Sequence, residues 1–469
     1  MSNPPRRPRR RRIHPILKFL FSLAAIGLML YMATFAFRFC MGLFLEGEEY
    51  VVQLPGEDSP IIESVPEETE TSTEPVQITE SSRATVLAAG DLMTHMPIVR
   101  SGKSGNGYNF SDIFRYIEPY VSVADFAVVN LETTLSGTDK KEYTGYPLFN
   151  APDAFAADAY GSGFDLMLTA NNHCYDYRTD GMLRTLEVVR TAGLQTLGTT
   201  AKAEEPKHVI QNLNGIQVGM VCYTFADIGA DRNTPIINGI ATDATAAGLI
   251  NAFDYDNLDM FYAEMESHLA SMKESGAEAT VLFIHWGDEY TTSANDTQKA
   301  MAQKLCELGV DVIVGSHPHV VQTIDYLTSN DGSHHTVCMY SLGNFLSNQR
   351  ATNIDLTTGH SEDGLLFSFT FVKYSNGEVH LESVDLLPTW VLVQGTGDSR
   401  AYKILPLDET VEDWAAAYDL SSAQLSDAKE SLIRTQRIVE ENLNSIRNAL
   451  EQLKQSRNQR FGIFSEGVG

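Results

Sequence analysis

The sequence predicts an α/β fold, and three observations carry the prediction. Short apolar, β-branched runs recur along the chain, as in Val310 to Val314, with the length and composition of strands buried on both faces. Helix-length runs stand between them, the alternation expected of α/β layers. About three hundred residues take part, enough for one large core or two tightly joined sheets.

At the amino terminus, Arg6, Arg7, Arg9, Arg10, Arg11, Arg12 and Lys18 precede an uncharged run, Phe19 to Phe37. As a helix this run spans about 28 Å, close to a ~30 Å hydrocarbon core. By the positive-inside rule, residues 1–18 are expected to be a basic cytoplasmic tail and residues 19–45 a single-pass anchor in the cell membrane, with the remainder extracellular. A cleaved signal peptide is the competing reading. It fits less well, because its apolar core is usually ~7–15 residues and Thr34-Phe-Ala36 is a poor small-x-small cleavage site.

Residues 46–83 turn abruptly to Glu, Ser, Thr and Pro, as in Glu63-Ser-Val-Pro-Glu-Glu-Thr-Glu-Thr-Ser-Thr-Glu-Pro75. Such a segment buries too little apolar surface to offset its ordering entropy, so a disordered stalk is expected. The folded domain is placed at 84–395, with helices expected over Asp112–Val121, Gly181–Ala192, Leu258–Met272 and Asp296–Leu308. Leu365–Val372 and Val379–Leu387 read as an antiparallel hairpin around Asn376-Gly377, at a sheet edge. Gly102-Lys-Ser-Gly-Asn-Gly107 lacks the P-loop spacing and reads as a surface loop. Residues 396–469 are expected to be a helical region, in which Leu425, Leu432, Val439, Ile446 and Leu453 recur every seventh residue. The partner heptad positions hold Lys429 and Gln436, or Thr435 and Asn442. A helix packed along its own domain is therefore favoured over a coiled coil.

The strand ends carry the chemistry. Thr85–Asp91 delivers Asp91; Phe126–Glu132 delivers Asn130 and Glu132; Leu166–His173 delivers Asn172 and His173; Val281–Gly287 delivers His285; Val310–Val314 leads into His317 and His319. In open α/β sheets, ligands bind at the carboxyl ends of strands. Carboxylate, amide oxygen and imidazole form the mixed donor set that suits Mn, Zn or Fe, as one or two divalent ions. Singly, each residue has a plainer role: Asp91 as a turn residue, Asn130 and Asn172 as helix caps, His285 as an interior histidine. Five coincident strand ends argue against that.

The motifs Gly90-Asp91, Asn130-Leu-Glu132, Asn171-Asn-His173, His285-Trp-Gly-Asp-Glu289, Gly315-Ser-His-Pro-His319 and Ser341-Leu-Gly-Asn-Phe345 resemble, in that order, those of the CapA-type proteins of bacterial poly-γ-glutamate capsule synthesis. The resemblance runs from about Ala84 to Leu387. That family is similar to the calcineurin-like metallophosphoesterases and 5′-nucleotidases, which implies a metallophosphatase-like sandwich of two sheets flanked by helices. It also implies metal ligands at Asp91, Glu132 (bridging), Asn172, His285, His317 and His319, and a catalytic pair of His173 with its partner acid Asp176. Asn130, Glu289 and Asn344 are further site candidates. Two departures stand out: Met93 occupies the position of a first-motif histidine, the nearest imidazole being His95, and Glu132 replaces an aspartate.

The net charge is −27, and without the first forty-five residues the balance is 26 basic to 61 acidic, or −35. So acidic an ectodomain is a poor nucleic-acid binder. Cys40, Cys174, Cys222, Cys306 and Cys338 do not resemble a disulfide framework, and none is expected. Cys174 reads as a small buried residue, with a soft metal ligand as the alternative. Tyr143, Tyr146, Phe149 and Tyr290 are candidates to line a cleft. The resemblance implies synthesis or export of an anionic capsule polymer, with that polymer or its synthase and export proteins as partners. A surface metal-dependent phosphoesterase and a non-catalytic scaffold of the export complex are the alternatives.

Overall fold

The computed structural model describes residues 78–139, 142–229, 234–354 and 358–461. The expected cytoplasmic tail, the membrane anchor and the stalk up to residue 77 lie outside the described residues. Among the described residues, no helix is long and apolar enough to cross a membrane.

The strands that shape the site are β1 (Glu80–Leu92), β2 (Phe126–Leu131), β3 (Leu166–Leu168), β4 (Gln195–Leu197), β5 (His208–Leu213), β6 (Ile216–Phe225), β7 (Ala252–Phe253), β8 (Ala279–His285), β9 (Val312–Ser316), β10 (Ile324–Thr328), β11 (His335–Met339), β12 (Asn344–Leu346), β13 (Asp363–Tyr374), β14 (Val379–Gln394) and β15 (Ala401–Pro406). The main helices are α1 (Met96–Ser101), α2 (Ala154–Gly161), α3 (Arg178–Thr191), α4 (Leu258–Glu274), α5 (Asp296–Leu308) and α6 (Ser422–Arg460).

Two sheets result. The first runs β15-β14-β13-β1-β2-β3-β4, with β12 also paired to β1; the second runs β7-β6-β8-β9-β11-β10, with β5 on β6. β1 to β4 pair in parallel, as do β7, β6, β8, β9 and β11. Strand periodicity then sorts the core. Val86, Ala88 and Val128 pack with Met220, Phe283 and Val314 of the second sheet, while Leu87, Ala89 and Val129 face the other way onto Phe155 and Ala159 of α2. Leu282 and Ile284 back onto Phe261 and Met265 of α4 and Met301 and Leu305 of α5. Each sheet thus buries both faces, as a parallel sheet must.

Several boundaries move. The stalk was expected to run to residue 83, but β1 begins at Glu80 and its ladder with β13 already includes Glu80, Ser82 and Arg83. The domain does not end at 395, because β15 adds an antiparallel strand to β14. The β13–β14 hairpin forms around Gly377, which holds φ 88°, yet it is interior, since β15 covers one side and β1 the other. The expected helix over Asp112–Val121 is two single turns, Ser111–Phe114 and Glu118–Val121, separated just before Pro119, a residue that supplies no N–H to a continuous ladder. Lys103–Ser104 and Gly107–Tyr108 form a short hairpin within the exposed glycine-rich loop.

α6 is capped by Ser421 and Gln424 in a reciprocal capping box. Its buried stripe is Ala428, Ser431, Leu432, Thr435, Val439, Leu443, Ile446 and Leu450. That stripe follows the 3.6-residue period of an α-helix rather than a strict heptad, so the heptad residue Leu453 drifts out to 37% exposure. Val439, Leu443, Ile446 and Leu450 join the core between the sheets.

Candidate metal centre

β1, β2, β3, β8 and β9 present their carboxyl ends on one side, and the expected residues meet there. Gly90 makes the first junction possible. β1 shifts register against β2 between Ala89 and Asp91, and a Cβ at Gly90 would lie 2.1 Å from the carbonyl oxygen of Gly343. That close approach lets Asp91 N–H donate to Gly343 O at 2.9 Å, tying Gly90-Asp91 to Ser341-Leu-Gly-Asn-Phe345. A Cβ at Gly315 would be 1.9 Å from Tyr340 O. His317 and His319 then adopt φ 99° and 57°, a left-handed backbone that a non-glycine residue holds only when its surroundings enforce it.

Asp91, Glu132, His285 and His319 are buried; Glu132 and Asp91 have no exposed surface. His319 Nδ1 lies 3.0 Å from Asp91 Oδ2, and its Nε2 lies 3.6 Å from Glu132 Oε1. Around His285 Nε2 stand Asn172 Oδ1 at 3.0 Å, His317 Nδ1 at 3.2 Å and Glu132 Oε1 at 3.7 Å. His285 Nδ1 is engaged by Ser316 Oγ at 2.9 Å. Donor atoms of Asp91, Glu132 and His285, and separately of Glu289, His317 and His319, lie within 4.8 Å of one another.

The residues fit a divalent ion on chemical grounds. Glu132 Oε1 is buried with no hydrogen-bond donor, and a hydrogen on His285 Nε2 could serve only one of the three lone-pair atoms around it. Burial first, then the neighbouring imidazoles, drives His285 well below the usual histidine range and His317 down to about 3, so both rings are neutral and carry lone pairs. Burial, then the Asp91 carboxylate, raises Glu132 well above the usual carboxylate range. A cation relieves all three conditions at once.

Asn130 is a support here: its Nδ2 donates to Asp91 Oδ1 at 2.8 Å, and its Oδ1 accepts from Asn171 Nδ2 at 3.1 Å. Asn344 supports from the other side, donating to His319 O at 3.2 Å, Gln349 Oε1 at 2.9 Å and Ser361 O at 2.9 Å. Cys174 packs with Tyr175, Met182 and Ala226, and burial pushes its thiol up to about 12. It is a neutral core residue.

His173 and Asp176 form a buried pair, with Nδ1 to Oδ2 at 2.8 Å. Asp176 is fixed further by Phe149 N–H at 2.7 Å and Asn238 Nδ2 at 2.8 Å. Asn238, Ser316 and Phe225, whose ring lies 4.7 Å from that of His317, were not anticipated. Asn238-Gly239 reads in sequence only as a turn, and its reach to Asp176 spans 62 residues.

A cleft of about 600 Å³ opens beside these groups, lined by His95, Tyr146, His173, Glu289, Tyr290 and His319 among others. Met93 lines it too, at the position of the absent first-motif imidazole. Burial, then His319 and His173, lowers His95 to about 3. Of the expected aromatic lining, Tyr146 and Tyr290 face the cleft, Phe149 packs edge-on against His173 with centroids 4.6 Å apart, and Tyr143 packs against Tyr108.

The family described as bacterial capsule synthesis protein PGA_cap matches residues 85–349. The capsule biosynthesis protein CapA of Bacillus anthracis is 28% identical over 59% of this chain and 62% of its own length. The PGA biosynthesis protein CapA of Bacillus subtilis (strain 168) is 26% identical over 58% of this chain and 65% of its own. The matched part thus spans less than two thirds of either relative. An uncharacterized protein, y4sH, of Sinorhizobium fredii is 22% identical over 58% of this chain. With the family's region covering β1 through the loop after β12, and so every strand end that meets at the centre, the chain belongs to the CapA-type, PGA_cap family of bacterial capsule synthesis proteins.

Proposed function

We propose that this chain is a membrane-anchored, extracellular CapA-type protein acting in synthesis or export of an anionic capsule polymer, poly-γ-glutamate, and that its metallophosphatase-like domain holds one or two divalent ions, Mn, Zn or Fe. The observation that carries the reading is the partnerless Glu132 Oε1, which lies where His285 and His319 converge. Asp91, Glu132 and His319 would hold one ion, and Glu132, Asn172, His285 and His317 the other, with Glu289 beside His317 and His319. When bound, such ions supply Lewis-acid polarisation and charge neutralisation. His173, oriented by Asp176, lines the cleft, where its ring is placed to relay a proton to a leaving group.

The test is elemental analysis of the full chain purified in detergent, beside Glu132→Gln and His317→Ala, with surface polymer measured in cells carrying each variant. Near-stoichiometric metal in the wild type, lost in both variants together with polymer display, supports the reading. Unaltered display in cells lacking the protein would sink it. The His173–Asp176 pair also favours a second reading, a surface phosphoesterase. Metal-dependent hydrolysis across a panel of phosphate esters, with polymer display unchanged in a His173→Ala strain, would favour that instead. Full display from metal-free variants would leave the scaffold role.

A further inference from the structure

The cleft beside the centre is walled mainly by neutral polar side chains. Among the described residues, no lysine or arginine lines it. Arg350, next to the lining residue Gln349, is turned away: it pairs with Glu362 at 2.5 Å and lies over the Trp390 ring at 5.6 Å. Phosphoryl groups are usually clamped by Arg or Lys in addition to metal ions, because their charge exceeds what one contact neutralises. This cleft offers imidazole, phenol and amide groups, with one acid, Glu289.

Two of the neutral donors are set by the same segment. The backbone N–H of Asn348 donates to His95 Nδ1 at 3.3 Å. A neutral imidazole that accepts at Nδ1 carries its hydrogen on Nε2, and that atom has no protein partner among the described residues. Asn344 Nδ2 donates to Gln349 Oε1 at 2.9 Å, which fixes the Gln349 amide so that its Nε2 donates to Tyr290 Oη at 3.0 Å. The phenol oxygen therefore accepts, and its own hydrogen is left for the cleft. Tyr290 holds φ 60°, with its N–H bonded to Pro318 O at 2.7 Å, so the ring is placed by a backbone conformation a bulky residue rarely adopts.

Resting on the reading of the site given above, we infer that His95 Nε2–H and Tyr290 Oη–H are substrate-binding donors, and that the group they take is the carbonyl oxygen of a carboxylic amide. The two hydrogens meet the charge that develops on that oxygen as the carbonyl carbon is attacked. In hydrolysis, the oxygen of a water molecule forms the new C–O bond and the C–N bond breaks. One water proton reaches the leaving nitrogen by way of His173, and the acyl part departs as a carboxylic acid.

The experiment uses the full chain in detergent, with metal content measured first. The probes are doubly capped tripeptide amides, α- and γ-glutamyl linked, and p-nitrophenyl phosphate. Binding is read on metal-stripped protein and cleavage on protein loaded with Mn or Zn. The expected result is binding and cleavage of a capped amide, with no turnover of the phosphate ester. Tyr290→Phe and His95→Phe should each weaken amide binding roughly tenfold and lower kcat roughly a hundredfold, metal content unchanged. His95→Gln, which keeps a side-chain N–H, should recover part of the loss and separates donation from folding. Turnover of the phosphate ester without amide cleavage, no detectable amide binding, or kinetics unchanged in both donor variants would overturn the assignment while leaving the metal centre in place. A wild-type chain without metal would overturn the reading of the centre and the hydrolysis, while amide binding lost in Tyr290→Phe and His95→Phe would still support the two donors.

Discussion

At the residue scale, the centre combines groups that are costly to bury apart and compatible together. His95 and His317 are each held down to about 3, and His285 well below 6.5, so the unfolded chain takes up protons below about pH 6.5 that the folded chain refuses. Stability is then present above that pH and lost as pH falls. Glu132, raised above 4.5, acts with the opposite sign, since it favours the folded state at low pH. Three imidazoles against one carboxyl leave a net loss on acidification, up to about 1.4 kcal/mol per pH unit for each uncompensated group. Urea midpoints of the metal-free chain should fall between pH 7 and pH 5, and His95→Gln should flatten that slope. A second prediction separates ligand loss from backbone strain. His317→Ala and His317→Gly both remove the imidazole, but at φ 99° only glycine is at ease, so the glycine variant should be the more stable by about 1 kcal/mol in thermal melts. Both should lose metal equally.

At the element scale, the strand ends were legible because five apolar runs each close on a ligating residue, a coincidence short enough to read along the chain. Helices α4 and α5 were legible from periodicity, and α5 starts and stops at the expected residues. What could not be read was contact at long range. That Gly90 must be glycine depends on the Gly343 carbonyl, and that Asp176 is held by Asn238 depends on a turn whose sequence gives no sign of that contact. Gly90→Ala should destabilise by about 1–3 kcal/mol through overpacking, measured by denaturant unfolding. The hairpin reads as an edge because β15 is only six residues long, is interrupted by Lys403 and closes on Pro406, and so gives little strand signal. α6 is pinned to β13 through Asp363, whose carboxylate takes Arg434 Nε at 2.5 Å, Arg434 Nη2 at 2.6 Å and Ser431 Oγ at 2.6 Å. Asp363→Ala leaves the Arg434 charge half-buried and unpaired, and should cost about 3–5 kcal/mol in the same assay. A loss under 1 kcal/mol would mean water serves Arg434 equally well.

At the scale of the whole molecule, the family-matched region ends at residue 349, but the core does not. β13 pairs with β1 at nine positions from Glu80 to Ala89, and Val439, Leu443, Ile446 and Leu450 of α6 belong to the core that both sheets share. A chain cut after Ser421 should therefore lose its cooperative thermal transition rather than merely a partner-binding arm; a truncated chain that melts like the full one would show that α6 is dispensable to the core. The same path reaches the chemistry, since Asn344 ties His319 O to Ser361 O, two residues from Asp363. Support for the centre is thus drawn from a helix that lies about seventy residues beyond the matched region in sequence.

The polypeptide enters this domain through β1, which is flanked by β13 on one side and β2 on the other. Tension applied along the chain ahead of Glu80 would load those two ladders in shear, so that many hydrogen bonds must yield together, whereas a terminal strand on a sheet edge can be peeled away one bond at a time. The domain is in this way mechanically stiff where the chain enters it, and Asp91, at the far end of the same strand, keeps its position while the entering segment is pulled.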